Sequence, residues 1–157
     1  MWQMLHEMRH WITKLPSTLP KPIRELFDLE LIYSYVYCLA PSCRFPAVSD
    51  LSKSLIFEYC MQYMDRLASV SPDHFSKSFY TYHDALHVYF IGSQFLAVLN
   101  DSFENLLSGV IPYVVVPQGS LPPPPIPNAG RTDNLERSIM CIELVLETLG
   151  KWSERWD

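Results

Sequence analysis

Thirteen prolines divide this chain into pieces of helical length. A proline inside a helix removes a backbone hydrogen bond and costs roughly 3 kcal/mol, so each one marks a start, a stop or a loop. Pro16 and Pro20 stop a first short helix, predicted over Trp2 to Lys14. Pro22 stands where a first-turn proline is tolerated and opens a second helix reaching about Leu39. Ala40-Pro41-Ser42 closes it, because the residue before a proline is pushed out of the helical region. Pro122 to Pro125 run consecutively and admit no helix, so residues 101–130 are read as a proline-rich loop carrying an extended polyproline connector.

Between these breaks the apolar residues recur at helical spacing. Leu29, Ile32, Tyr33, Val36 and Tyr37 line the second helix. Ser49 is placed as N-cap of a third helix over residues 50–70, with Leu51, Leu55, Tyr59, Tyr63 and Leu67 on its stripe. A fourth is predicted from near Pro72 to about Leu99. It is apolar most of the way round, which marks it as the central, buried helix. Gly92 inside it weakens a helix by roughly 1 kcal/mol relative to alanine, which a close helix crossing would explain. Asp133 with Glu136 has capping-box spacing for a last helix, whose buried stripe is expected to be Leu135, Ile139, Ile142, Leu146 and Leu149. With no internal repeat and no strand pair, the fold class is all-α: an irregular bundle of about five helices in one domain, residues 1–157, with a long proline-rich loop.

Composition narrows the function classes. At 48% apolar and 18% charged, the chain is too hydrophobic to be a disordered tail. A net charge of -5 gives no general attraction to phosphate backbones, so no direct nucleic-acid partner is expected. No run of about twenty apolar residues spans a membrane, and the first residues, MWQMLHEMRHW, lack the apolar block of a signal peptide. These features predict an intracellular, unsecreted protein, nuclear or cytoplasmic. Cys38, Cys43, Cys60 and Cys141 form no CxxC pair and are read as reduced packing residues.

Two histidine pairs invite a chemical reading. His6-Glu7-Met8-Arg9-His10 matches H-E-x-x-H, which on a helix would set two imidazoles toward a zinc ion. It begins at residue 6 with no third-ligand signature after it, so it is read as a polar helix start and no metal is expected. His83 and His87 lie one turn apart on the apolar fourth helix beside Tyr82. They read either as hydrogen-bonded core histidines or as polar contacts in a pocket. Tyr82, His83 and His87 are therefore the candidate ligand contacts, with Tyr33, Tyr37 and Tyr63 as possible walls. In an enzyme, His83, His87 and Tyr82 would be the acid–base candidates. There is no G-x-S-x-G elbow and no glycine-rich phosphate loop, and no cofactor is expected.

The order of several loose motifs resembles the regulatory domain of fungal zinc-cluster transcription factors. WITKLPSTL (Trp11 to Leu19) looks like its W-x-x-x-LP segment, and Tyr35, Leu39, Pro41 and Ser42 fit its helix with a Pro-Ser exit. SLIFEYCMQYMDRL is similar to its following cysteine-bearing helix. His87, Phe90, Gly92 and Leu96 resemble its H-x-x-F-x-A-G-x-x-x-L helix, the last two one place early, and Cys141 with Trp152 or Trp156 its closing one. The resemblance covers nearly the whole chain but only the second half of that domain, and the six-cysteine zinc cluster has no counterpart. It implies a ligand-responsive or partner-binding regulatory module that does not itself bind DNA. Its partner would be a small apolar metabolite or another protein, and a homo-oligomeric or partner-dependent state is expected. Two other readings stay open: a small enzyme of secondary metabolism performing cofactor-free isomerisation or cyclisation of a hydrophobic metabolite, and a structural interaction subunit.

Overall fold

The computed structural model describes residues 2–46, 49–69, 82–116 and 118–156, with backbone only for residues 82, 83, 155 and 156. Five α-helices stand among the described residues: α1 (Trp2–Thr13), α2 (Lys21–Leu39), α3 (Ser49–Ser69), α4 (Tyr82–Leu107) and α5 (Asn134–Trp156). A 3₁₀ turn, Ala40–Arg44, links α2 to α3, and no strand occurs among the described residues. The fold is all-α. Pro22 sits in the first turn of α2 as expected. Ser49 is the first helical residue of α3 rather than its cap, and its hydroxyl donates to the Cys43 carbonyl at 2.9 Å. The predicted start of the fourth helix near Pro72 lies outside the described residues.

The central helix is α3, not α4. It packs against α2, α4, α5 and the 3₁₀ turn, and burial runs all round it, from Leu51 through Leu55, Ile56, Phe57 and Cys60 to Leu67. The corner that brings α2 into α3 is fixed by Ser42, buried at the proline-serine exit. Its hydroxyl bonds the Leu39 carbonyl and shares a 2.7 Å hydrogen bond with the Ser52 hydroxyl. Phe57 of α3 stacks on Phe95 of α4 at 5.4 Å, and Lys53 forms an ion pair with Asp101. The first helix rests on α2, with the Trp11 ring edge-on to Phe27 at 5.5 Å.

The fourth helix differs from the sequence reading in its end and in its burial. Residues 101–107, assigned to the loop, continue α4 past a kink at Ser102, where φ is -141° and ψ 35°. Nor is α4 buried on every side, because Leu86, Tyr89, Leu96 and Phe103 are exposed. Its inner line is Val88, Ile91, Phe95 and Val98. Gly92 marks the crossing with α5 as expected: a Cβ there would stand 2.8 Å from Val145 Cγ1.

The connector from α4 to α5 is closed at its base. Gly109 takes a positive φ of 68°, and a Cβ on it would lie 2.5 Å from the Arg131 carbonyl oxygen. Just beyond, Asn134 Nδ2 donates to the Leu106 carbonyl at 3.0 Å. Asp133 occupies the N-cap position, its carbonyl accepting from the Arg137 amide, but its side chain pairs with Arg131 instead of closing a capping box. That pairing holds the Asp133 carboxyl below its ordinary range.

Candidate functional site

The last helix presents a face opposite to the one its apolar residues suggest. The stripe expected in the core points outward: Leu135 is 55% exposed, Ile139 49% and Leu146 65%, with Ile142 and Leu149 half-buried between them. The buried line is instead Asn134, Ser138, Cys141 and Trp152. Small and polar residues let α5 lie close against α3 and α4, as the contact of Gly92 with Val145 requires.

What turns α5 this way is a buried ion pair that sequence reasoning missed. Glu58, in the middle of α3, is 4% exposed. Arg137 of α5 grips it with both arms of its guanidinium, Nη1 to Oε1 at 2.9 Å and Nη2 to Oε2 at 2.7 Å. Arg137 Nη1 also donates to Asn134 Oδ1 at 2.8 Å, and Asn128 Nδ2 reaches Glu58 Oε2 at 3.4 Å. With the Asn134 bond to Leu106, the network joins α3, the end of α4, the connector and the first turn of α5. The hint in the sequence is Glu58 itself, a charge one turn after Leu55 and beside Tyr59 of the apolar stripe. Every side-chain nitrogen and oxygen fully buried among the described residues has a partner, as a burial this costly demands.

Of the residues singled out as ligand contacts, three come together. His87 of α4 lies flat on the Tyr33 ring of α2 at 3.8 Å and 17°, and Phe90 meets Tyr33 edge-on at 5.5 Å. Tyr37 leans on both, at 6.4 Å from Tyr33 and 6.0 Å from Phe90. Glu30 Oε1 stands 3.6 Å from His87 Nδ1, an electrostatic neighbour beyond hydrogen-bond length. Burial, and then Glu30 and Tyr37, push the Tyr33 phenol above its ordinary pKa. Tyr63 belongs to the buried core of α3. The side chains of Tyr82 and His83 lie outside the described residues. The assembled trio is thus an α2–α4 aromatic contact, with Tyr37 exposed at its rim.

The H-E-x-x-H segment lies on α1. His6 Nε2 donates to the Pro122 carbonyl at 3.0 Å, so that nitrogen carries a proton and fastens α1 to the polyproline tract. His10 is exposed. Among the described residues no group of three or more His, Cys, Asp or Glu is placed to hold a metal ion. Nor, among them, is any helix long and apolar enough to cross a membrane.

No family model, curated protein or solved structure matches this chain.

Proposed function

We propose that this chain is a partner-binding regulatory module whose docking surface is the outward stripe of α5, and that its partner is an amphipathic helix with basic flanks. The observation behind this is the exposure of Leu135, Ile139 and Leu146. With Ile142 and Leu149 they follow the alternating four-and-three spacing of a helix seam that takes another helix. On α4, Tyr89, Leu96 and Phe103 are exposed at seven-residue intervals and add a second such line.

Charge selects the occupant. Glu136, Glu143 and Glu147 stand exposed along the α5 stripe, and Lys151 is already paired with Glu147. A second copy docking through α5 would bring glutamates against glutamates, which disfavours a symmetric dimer. A helix carrying Lys or Arg beside its apolar seam meets complementary charge. This fits the resemblance to a regulatory domain. An enzymatic role has less support, since Glu30 is too distant to orient the His87 imidazole by a hydrogen bond.

The test uses two labelled synthetic helices with the same leucine seam, one flanked by lysines and one by glutamates, titrated into the full chain by fluorescence anisotropy. The basic peptide should bind at least tenfold more tightly, more weakly as salt rises, and not to an I139D/L146D double variant with unchanged helical content. Equal binding of both peptides, or unchanged binding to the variant, refutes the reading. A dimer by light scattering that the variant dissolves would make the occupant a second copy and overturn it too.

A further inference from the structure

Away from the α5 face, an open cleft of about 410 Å³ lies where α1, α2 and α3 meet the proline segment. That is within the range of small-molecule sites. Its apolar lining includes Ile12, Ile32 and Ile126, and two arginines, Arg9 from α1 and Arg66 from α3, line it with them. Neither guanidinium has an ion-pair partner among the described residues. Asp28 also lines the cleft, so these three charged groups sum to one positive charge.

Two tyrosines carry the argument further. Tyr35 of α2 is 6% exposed and Tyr59 of α3 is 7% exposed, their rings 5.0 Å apart, and both line the cleft. Neither hydroxyl has a hydrogen-bond partner among the described residues, although no fully buried side-chain oxygen among them is left without one. Both phenol oxygens therefore reach the open space of the cleft while their rings are buried. Burial pushes the Tyr59 phenol up to about 12, and Tyr35 moves the same way. Both stay neutral at physiological pH, as donors aimed at whatever occupies the space.

We propose that this cleft binds a small amphipathic carboxylate. Its apolar body packs on Ile12, Ile32 and Ile126, and its carboxylate accepts hydrogen bonds from the Tyr35 and Tyr59 hydroxyls and from Arg9 and Arg66. A neutral alcohol of the same length would leave the arginines without an anion, and a small acid such as acetate would leave the apolar lining uncovered. The site is independent of the α5 surface.

The experiment is calorimetric titration of the full chain with decanoate, 1-decanol and acetate. Decanoate should bind saturably, and the other two at least tenfold more weakly. An R9Q/R66Q variant should weaken decanoate binding at least tenfold. A Y35F/Y59F variant should weaken it several-fold while keeping the wild-type melting temperature, because its lost hydroxyls bond nothing among the described residues. The I139D/L146D variant should bind decanoate as wild type does, which separates this site from the partner surface. No decanoate binding, equal binding of decanol, or undiminished binding by R9Q/R66Q would overturn the proposal. So would a lower melting temperature in Y35F/Y59F, since that would assign the hydroxyls a structural partner.

Discussion

Replacing Arg137 by methionine should be among the most damaging single changes in this molecule. The substitution keeps an unbranched apolar stem, two atoms shorter, and removes both hydrogen bonds to Glu58 and the one to Asn134. Glu58 Oε2 then keeps only a 3.4 Å contact from Asn128, on a side chain 5% exposed. Breaking one side of a buried pair costs about 3–5 kcal/mol, because the remaining charge is left without compensation. Against a total stability of about 5–15 kcal/mol, that is a large share. At roughly 2–4 °C per kcal/mol for a chain of this size, the melting temperature should fall by about 6–20 °C. Replacing both partners, E58M with R137M, removes the stranded charge and should recover much of the loss. The assay is urea denaturation of wild type, both single variants and the double, followed by far-ultraviolet circular dichroism. The cycle should show a coupling of about 2 kcal/mol or more. An R137M cost below about 1 kcal/mol, or losses that simply add in the double variant, would refute the claim that this pair is a desolvated unit.

The remaining predictions concern packing and pH. Gly92→Ala gains roughly 1 kcal/mol of helix propensity but sets a methyl 2.8 Å from Val145 Cγ1. Overpacking should win by about 1 kcal/mol; thermal melts should show G92A below wild type, and G92A/V145A above V145A alone. Raising pH should weaken the fold through Cys60, Cys141 and Tyr59. Burial is the leading cause that lifts Cys60 well above its usual value, Cys141 to about 12 and Tyr59 to about 12. Their unfolded counterparts ionise from about pH 9 for the thiols and 10 for the phenol, while the folded groups keep their protons. Stability is thus complete below about pH 9 and lost as pH climbs toward 12. A urea midpoint that stays level from about pH 8 to 11, or falls equally in C141A, would contradict this.

Helix positions were legible because prolines and apolar periodicity act locally. Pro22, the Ala40-Pro41-Ser42 exit and the alternation through Leu51, Leu55 and Leu67 needed no knowledge of the rest of the chain. Which way α5 faces did not follow from its own residues. Its apolar stripe, Leu135 through Leu149, looks like a core, but orientation depends on Glu58, 79 positions before Arg137. The centrality of α3 was hidden similarly: Ser52, Ser54 and Glu58 made it look half-solvated, yet the structure buries all three. Meanwhile α4, more apolar along its length, leaves Tyr89 and Leu96 outside. The candidate trio Tyr33, Tyr37 and His87 shared a plausible face, but whether it opens onto a pocket depends on how α2 and α4 approach. Of the tyrosines that do line a cleft, Tyr59 was legible only as part of the apolar stripe of α3 and Tyr35 only as a position of the motif resemblance. Both sat among ordinary core positions, and only the tertiary packing shows their hydroxyls without partners among the described residues.

The contact of Gly109 with Arg131, backed by the Asn134 bond to Leu106, has a consequence for how this chain can change over evolutionary time. The two helices are clasped at the point where the connector leaves one and rejoins the other, so the arc between them does not set their separation. Doubling the length of such an arc costs only about 0.6 kcal/mol of closure entropy. Insertions and deletions at the exposed residues 118–121 should register weakly in stability, whereas Pro122 is held by His6, Asn128 reaches Glu58, and Val114 and Ile126 pack against the core. The clasp itself tolerates little. Any side chain at position 109 must adopt a left-handed backbone and displace a carbonyl of the opposite strand of the clasp. A single glycine thus lets the exposed tip of the arc beyond it drift in length and sequence while the helices it joins stay in register.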